Sequence, residues 1–306
     1  MRVVFFGTPD FAVPSLRALG GEGFDVVAVV TQPDRPRGRS RSKLEPSPVK
    51  LAALGDAIPV LQPDRPVGDA FYQTIREFAP DVGVVVAYGH ILKPELLAIP
   101  KRGMVNVHPS LLPELRGAAP VEWAILNGLE KTGVSIMVMD AGLDSGPVLH
   151  QIPERIEDET GGELSAHLAE VGAQALVEAL VLWESDALVP VPQHHERATY
   201  APKLTRDLAR IDWTTPADQV ARKIRGMDPK PGAWTELDGK EVKLFGAHPT
   251  AASGALGAAT IAGDRLVIAT AKGSVEIEEV QPAGKPVMTA ADWVRGRGVR
   301  AGQRFA

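Results

Sequence analysis

The sequence contains no cysteine and few aromatic residues, and each shortage narrows what the protein can be. Without cysteine it has no disulfide bond, no thiolate nucleophile and no zinc site built from cysteine. This composition fits a reducing compartment, so we expect a cytoplasmic protein. Aromatic residues make up 5% of the 306 residues, so alanine, valine and leucine must fill most of the core. A chain of this length predicts two domains.

Several motifs that mark common protein classes are also absent. The first apolar run ends at Gly7-Thr8-Pro9, which offers one glycine where the dinucleotide fingerprint GxGxxG needs three. The chain has no GxxxxGK[ST], HExxH or GxSxG pattern, so we expect no phosphate-binding ATPase loop, no bound metal and no serine nucleophile elbow. The apolar run at the start is too short for a signal peptide, and no stretch reaches the ~18 apolar residues of a membrane span. We therefore expect no membrane partner.

The first part of the chain alternates apolar runs with helical patterns. Runs bounded by glycine and proline predict strands at 1–6, 24–30, 80–87, 103–108 and 133–139. Helical spacing predicts helices at about 10–20, 66–79 and 120–128 and one long amphipathic helix from Glu163 to Glu184. This alternation predicts an α/β fold with a mainly parallel, Rossmann-like sheet that is covered on both faces. In such sheets ligands bind beyond the carboxyl ends of the strands.

The pattern changes after residue 188. Residues 189–206 are rich in proline and have little periodicity, which predicts an extended linker. From 207 onward a helix at about 215–226 precedes five short strands with tight turns between them. These strands are predicted at 234–237, 241–248, 256–261, 265–270 and 274–280. We therefore expect an α/β domain at 1–188, a linker at 189–206 and a small β-barrel domain, of the oligonucleotide-binding (OB-like) kind, at 207–306.

The charge is distributed unevenly. A net charge of −5 by itself argues against a nucleic-acid partner. Within nine residues, however, five cations alternate with small or neutral residues: Arg35, Arg37, Arg39, Arg41 and Lys43. Such a segment is often only a solvated surface loop, but its density of positive charge within an acidic domain also suits a phosphate-bearing partner.

Polar side chains gather at the end of one predicted strand. Asn106 and His108 are two residues apart, so on a strand they point to the same side. A second polar group, Asp140 and Asp144, follows the strand 133–139. An Asp–His–Asn set suits acyl transfer, because the carboxylate favours the charged imidazole, and the imidazolium and the amide donate to a developing oxyanion. The competing interpretation is a structural histidine and an ordinary Asp-Gly turn, since spacing alone does not bring Asp144 to His108.

Long segments of the chain resemble one protein family. NVHPSLLPELRGAAPVEWAILNG at 106–128 and TGVSIMVMDAGLDSGPVL at 132–149 are similar to the folate-dependent formyltransferases. Three further segments resemble the members of that family that act on aminoacylated tRNA: FFGTPDFAVPSL at 5–16, TQPDRPRGRSRSKLEPSPVK at 31–50 and VQPAGKPVMTAADWVRG at 280–296. The resemblance covers nearly the whole chain, in order.

The resemblance implies a reaction and its site. The expected reaction transfers the formyl group of 10-formyltetrahydrofolate to the free amino group of initiator methionyl-tRNA, in support of translation initiation. Asn106, His108 and Asp144 match the family's catalytic positions, with His108 protonated and held by Asp144. The segment that the family associates with folate binding corresponds to Ser110, Leu111, Leu112 and Pro113.

The resemblance also implies how the tRNA is held. The basic segment is expected to meet the acceptor arm, and the C-terminal domain is expected to hold the body of the tRNA. Arg39 is the first choice for the key arginine, with Arg37 and Arg41 as alternatives and Lys43 as a further contact. We expect a monomer that uses no metal.

Two rival functions share parts of this pattern. A formyltransferase for a small amine, such as a nucleotide sugar or a ribonucleotide, would share the site at 106–144 but would not need the basic segment or the C-terminal domain. A catalytically inactive RNA-binding relative would not need the complete set of Asn106, His108 and Asp144.

Overall fold

A computed structural model of the protein describes residues 1–37 and 43–306. For Arg37 and Lys43 it describes the backbone alone. The described chain forms two compact units. The first contains residues 1–120, 131–155 and 165–201, and the second contains residues 121–130, 156–164 and 202–306. The helices of both units are α1 (Val13–Gly21), α2 (Pro48–Gly55), α3 (Asp69–Glu77), α4 (Pro94–Leu97), α5 (Pro120–Leu126), α6 (Gly161–Glu184), α7 (Ala217–Gly226) and α8 (Ala290–Arg295).

The first unit is built on one large sheet and two small ones. Its strands are β1 (Arg2–Gly7), β2 (Asp25–Val30), β3 (Arg35–Arg37), β4 (Lys43–Glu45), β5 (Val60–Leu61), β6 (Val82–Val86), β7 (Met104–His108), β8 (Arg116–Gly117), β9 (Lys131–Val138), β10 (Val148–Arg155) and β11 (Tyr200–Ala201). The large sheet has the order β10-β9-β7-β6-β1-β2-β5, while β3 pairs with β4 and β8 with β11. Five neighbouring strands of this sheet are parallel: β7, β6, β1, β2 and β5. This confirms the predicted α/β fold with a mainly parallel sheet.

The last two strands of the large sheet reverse direction. β9 runs antiparallel to β7, so that Val138 at its end pairs with Val105 and Ser135 pairs with His108. The end of β9 therefore lies beside the start of β7, while His108 lies at the other end of β7. The loop after β9 must run back along the sheet for its polar residues to reach that histidine. β10, which the sequence pattern did not predict, pairs antiparallel with β9 at the edge of the sheet.

The central strands are buried over most of their length. Val3–Phe6 of β1 and Val82–Val86 of β6 are almost wholly inaccessible to solvent, as expected for parallel strands that are covered on both faces. On one face α6 comes close to β7 and β9, because a Cβ added at Gly172 would lie 2.9 Å from Val107. Side chains alternate along a strand, so Asn106 and His108 face the other side of β7.

Helix α6 also bears on the expectation that no segment could span a membrane. By length and composition alone, Gly161–Glu184 would pass as a membrane span. Half of its most apolar 18-residue stretch is buried within the protein, however, and Leu168, Leu176 and Leu180 are fully buried. The helix therefore packs as a core helix of the fold.

The second unit is an antiparallel sheet with a helix packed on it. Its strands are β12 (Ala233–Leu237), β13 (Lys240–Thr250), β14 (Ala259–Ala262), β15 (Arg265–Ala269), β16 (Ser274–Pro282) and β17 (Met288–Thr289). They pair in the order β12-β13-β16-β15-β14, with β17 on β16. Val220 and Ile224 of α7 are buried in the same core as Leu244 and Ile277 of the sheet. The predicted second domain of short antiparallel strands is thus present.

Candidate active site

The end of β7 carries the two side chains that the sequence singled out. Asn106 is half-buried, and within residues 1–37 and 43–306 its side-chain amide makes no hydrogen bond. His108 is 3% exposed, and its Nε2 lies 3.0 Å from the backbone oxygen of Leu115. A carbonyl oxygen only accepts, so Nε2 carries a hydrogen and donates it. The amide of Asn106 is therefore available to a substrate, while one face of His108 is already engaged.

Asp144 lies beside the other nitrogen of His108. Its Oδ2 is 3.9 Å from His108 Nδ1 and accepts a hydrogen bond of 2.8 Å from the backbone N–H of Gly117. The Asp144 side chain is 15% exposed. The loop between β9 and β10 thus returns to the carboxyl end of β7, and all three predicted catalytic residues lie in the first unit, with His108 and Asp144 adjacent.

Burial determines the charge of His108. Removal from water lowers the pKa of His108 below its ordinary value, and the positive charge of Arg116 acts in the same direction. The Asp144 carboxylate and the Leu115 carbonyl oppose this shift but do not outweigh it. The sequence led us to expect an imidazolium here; the structure favours the neutral ring, because the cost of burying the cation exceeds the attraction of the carboxylate. With its hydrogen on Nε2, the neutral ring presents a lone pair at Nδ1 on the side of Asp144.

The segment assigned to folate by resemblance forms a tight turn after β7. Ser110 and Leu112 are buried, and the Ser110 hydroxyl donates to the backbone oxygen of Glu114 at 2.6 Å. Ser135 of β9 secures the turn, because its hydroxyl donates to the Ser110 oxygen at 2.6 Å and accepts from the Leu112 N–H at 3.0 Å. Leu111 and Pro113 keep partly exposed side chains. The side chains of Ser110 and Leu112 are thus buried within the turn, while those of Leu111 and Pro113 reach its surface.

The two described ends of the basic segment form short antiparallel strands, and we call this pair of strands the basic hairpin. Arg35–Arg37 pairs with Lys43–Glu45, while Arg39 and Arg41 lie outside the described residues. Asp34, just before the hairpin, accepts hydrogen bonds from Lys50 Nζ at 2.7 and 2.9 Å and from Gln62 Nε2 at 2.7 Å. The hydrogen bonds from Lys50 lower the pKa of the Asp34 carboxyl group most, and the bond from Gln62 adds to this effect. The base of the hairpin is therefore fixed to α2 and to the segment after β5.

Sequence patterns gave no sign that residues 191–201, which we call the strap, take part in this site. Val191 exchanges two backbone hydrogen bonds of 2.8 Å with Val148, and Tyr200–Ala201 pairs with Arg116–Gly117. The Thr199 hydroxyl accepts from the Leu115 N–H at 2.9 Å. The strap has no helical or strand periodicity that would have predicted these contacts. Its lack of glycine was the one sequence feature that is unusual for a flexible linker.

The site has the components of acyl transfer to an amine. It combines an amide donor that is unengaged within the described residues, a buried imidazole whose pKa is lowered by burial, and a carboxylate 3.9 Å from the Nδ1 of that ring. A donor stabilises an oxyanion, and a neutral imidazole accepts a proton from an attacking amine. Within the part of the chain that the structure describes, no three His, Asp or Glu side chains are grouped as metal ligands.

Comparison with known proteins identifies the family. The family model described as formyl transferase matches residues 1–180, and the model of the formyl transferase C-terminal domain matches residues 203–298. The methionyl-tRNA formyltransferase of Myxococcus xanthus (strain DK1622) is 47% identical over 305 residues, which are 99% of this chain and 97% of that protein. The methionyl-tRNA formyltransferase of Geobacillus thermodenitrificans (strain NG80-2) is 46% identical over 304 residues, which are 98% of this chain and 95% of that protein.

A solved structure supports the fold independently. HypX from Aquifex aeolicus, in complex with tetrahydrofolic acid, matches with a TM-score of 0.67 at 21% identity. The match covers 98% of this chain and 48% of HypX, so the chain spans about half of that protein. The family that the sequence motifs predicted is thereby confirmed: the chain belongs to the formyl transferase family.

Proposed function

We propose that this protein transfers the formyl group of 10-formyltetrahydrofolate to the amino group of methionyl-tRNA, as a cytoplasmic monomer that serves translation initiation. The similarity along the whole chain to relatives named methionyl-tRNA formyltransferase carries this proposal. A reduced folate as formyl donor agrees with the tetrahydrofolic acid bound to HypX. The pairing of His108 with Asp144, on the side of β7 that also carries Asn106, supplies the chemistry.

Asn106 acts on the oxygen of the formyl group. When the neutral amine adds to the formyl carbon, a C–N bond forms and the carbonyl oxygen becomes negatively charged. The unengaged amide of Asn106 donates a hydrogen bond to that oxygen. A single preorganised donor of this kind contributes about 10²- to 10³-fold to kcat in other acyl-transfer enzymes.

His108 handles the proton. The attacking nitrogen gains a positive charge and must lose a proton, which the lone pair of His108 Nδ1 accepts. The resulting imidazolium lies between the Leu115 carbonyl oxygen and the Asp144 carboxylate, 3.9 Å away, and both stabilise its charge. As the bond from the formyl carbon to the folate nitrogen breaks, that nitrogen takes up a proton, and His108 returns to the neutral state.

The basic hairpin provides the contact with the acceptor arm in this proposal. Arg37, Arg39, Arg41 and Lys43 carry the positive charge, and the bonds from Lys50 and Gln62 to Asp34 fix the base of the hairpin.

The second unit holds the body of the tRNA in this proposal, as an OB-like barrel. The C-terminal residues link the two edge strands of its sheet, since Phe305 forms a bridge with Leu237 of β12 and Arg304 forms one with Ala258, just before β14. Such a link supports closure of the sheet, and OB-like barrels are a common nucleic-acid-binding fold. The proposed division of the chain is a catalytic domain at 1–188, a linker at 189–206 and the tRNA-binding domain at 207–306.

Formylation assays with matched acceptors test the proposal. Purified protein and 10-formyltetrahydrofolate should formylate methionyl-tRNA, while free methionine and a nucleotide-linked amino sugar should remain unmodified. Asn106→Ala is the control for contaminating activity and should lower the rate by about 100-fold or more. Equal rates with the small amines would favour a small-molecule formyltransferase, and tRNA binding without transfer would favour an inactive RNA-binding relative.

A further inference from the structure

Gln193 of the strap is a buried polar residue that the proposed chemistry does not use. It is 8% exposed, and both ends of its amide are hydrogen-bonded. The NH₂ group donates to the backbone oxygens of Asp144 at 2.9 Å and Gly146 at 2.7 Å. The amide oxygen accepts from the guanidinium of Arg116 at 2.6 and 3.2 Å. One side chain thus joins the loop that carries Asp144 to the segment that follows His108.

Arg116 determines which way this amide faces. A guanidinium has only donors, so the oxygen of Gln193 must face Arg116 and the NH₂ group must face the two carbonyl oxygens. Arg116 is itself held in place, because it is 5% exposed and its Nη2 also donates to His195 Nδ1 at 3.0 Å. The two donors of Gln193 are therefore directed at the loop by a buried and fixed partner.

The loop between β9 and β10 needs such support. Asp140, Ala141 and Gly142 are exposed, and Leu143 is 62% exposed, so apolar packing does little to hold this loop. Asp144 has a φ of +48°, a left-handed conformation that is uncommon for residues other than glycine. Gln193 binds the carbonyl of that residue and the carbonyl two residues later.

We propose that Gln193 is a positioning residue for catalysis, which keeps the Asp144 carboxylate beside His108 Nδ1 by holding the Asp144 and Gly146 carbonyls. The proposal rests on the proposed function of the site. A shift of about 1 Å in a reacting group can cost about 100-fold in rate. Because the amide of Gln193 is directed at the loop backbone and at Arg116, its loss should lower kcat and leave KM for both substrates unchanged.

Gln193→Glu separates the two ends of the amide. The glutamate has nearly the same size and still accepts from Arg116, but it has no donor for the two carbonyls. We expect kcat to fall by about 10- to 100-fold, with both KM values within about threefold of wild type. His194→Ala is the matched control: it changes the neighbouring strap residue, which is exposed and bonds to Glu196 at 3.2 Å, and its kcat should stay within about threefold of wild type.

A double-mutant cycle distinguishes positioning from a merely structural role. In an Asp144→Ala background Gln193→Glu should lower kcat by less than about twofold, since no carboxylate remains to be positioned. The uncharged Gln193→Leu variant provides a reading that does not depend on turnover. Because the Asp144 carboxylate raises the pKa of His108, its displacement should lower that pKa in an NMR titration.

The possible results are decisive in either direction. A folded Gln193 variant with near-normal kcat and an unchanged His108 pKa would overturn the proposal. So would an equal loss of kcat in the Asp144→Ala background or in His194→Ala. If the wild type fails to formylate methionyl-tRNA, the proposed function fails, and the His108 titration in Gln193→Leu still decides whether Gln193 positions Asp144.

Discussion

Gly117→Ala tests how tightly the Asp144 carboxylate must be held. The backbone N–H of Gly117 donates to Asp144 Oδ2 at 2.8 Å, and its φ is +121°, where an L side chain is strained. A Cβ at this position would lie 2.7 Å from the backbone oxygen of Ala201 in the strap. The new Cβ would meet a backbone atom, so no flexible side chain can move aside to relieve the overlap.

The structure gives the size of both effects. A strained backbone conformation costs on the order of 1–3 kcal/mol of stability. To reach the 3.4 Å at which ordinary contact begins, the Gly117 and Ala201 backbones must separate by about 0.7 Å. If a displacement of about 1 Å costs about 100-fold, this movement of the Asp144 donor should lower kcat by about 10- to 50-fold.

Gly68→Ala is the control for strain alone. Gly68 has a similar φ of +102°, but a Cβ there would meet nothing within 4 Å, and it lies before α3, outside the candidate site. Both variants should therefore lose stability in thermal unfolding, while only Gly117→Ala should lose kcat in a formylation assay at saturating substrates. A folded Gly117→Ala protein with the kcat of Gly68→Ala would refute the idea that this N–H holds Asp144 in its working position.

Three further predictions concern the site and the basic hairpin. Asn106→Ala, His108→Ala and Asp144→Ala should each lower kcat by about 100-fold or more, and the double variants should lose much less than the product of the single losses, because the groups act as a unit; additive losses in kcat would contradict this. Burial lowers the pKa of His108 and Asp144 opposes that shift, so an NMR titration should find the pKa of His108 below the ordinary histidine value. In Asp144→Asn that pKa should be lower still. A raised pKa in the wild type would restore the imidazolium mechanism. Neutralising Arg39 and Arg41 together should flatten the log–log salt dependence of tRNA binding by about 1.4 to 1.8, at about 0.7–0.9 per phosphate contact, without changing folate binding; parallel salt dependences would make the segment ordinary solvated surface.

The elements that the sequence predicted well are those with continuous apolar runs or long helical repeats. The buried strands β1, β6 and β7 and the helix α6 all lie within about two residues of their predicted bounds. β10 was not predicted because it lies at the edge of the sheet. Beyond the buried Leu149 its residues alternate between half-buried and exposed positions, without an apolar run. Helix α8 (Ala290–Arg295) is too short for a helical period to become visible.

The candidate site was predicted only in part from the residues themselves. Strand periodicity placed Asn106 and His108 on the same side of β7, because they are two residues apart. Asp144 is 36 positions from His108 and reaches it through an irregular loop after an antiparallel strand, so only the family resemblance could supply it. The direction of the His108 pKa shift was also beyond the sequence, since it depends on how deeply the folded chain buries the ring.

Two residues of the site have a left-handed backbone conformation. Leu115 and Asp144 have φ values of +56° and +48°, and they supply the two oxygens nearest the nitrogens of His108. Such conformations cost on the order of 1–3 kcal/mol each and persist only under external constraint. The strap supplies that constraint at both residues, through the Thr199 hydroxyl to the Leu115 N–H and through the Gln193 amide to the Asp144 carbonyl. The strap, whose regular structure is limited to the short strand β11 and one turn of 3-10 helix at His195–Arg197, thus holds the acceptor groups on both sides of the catalytic imidazole.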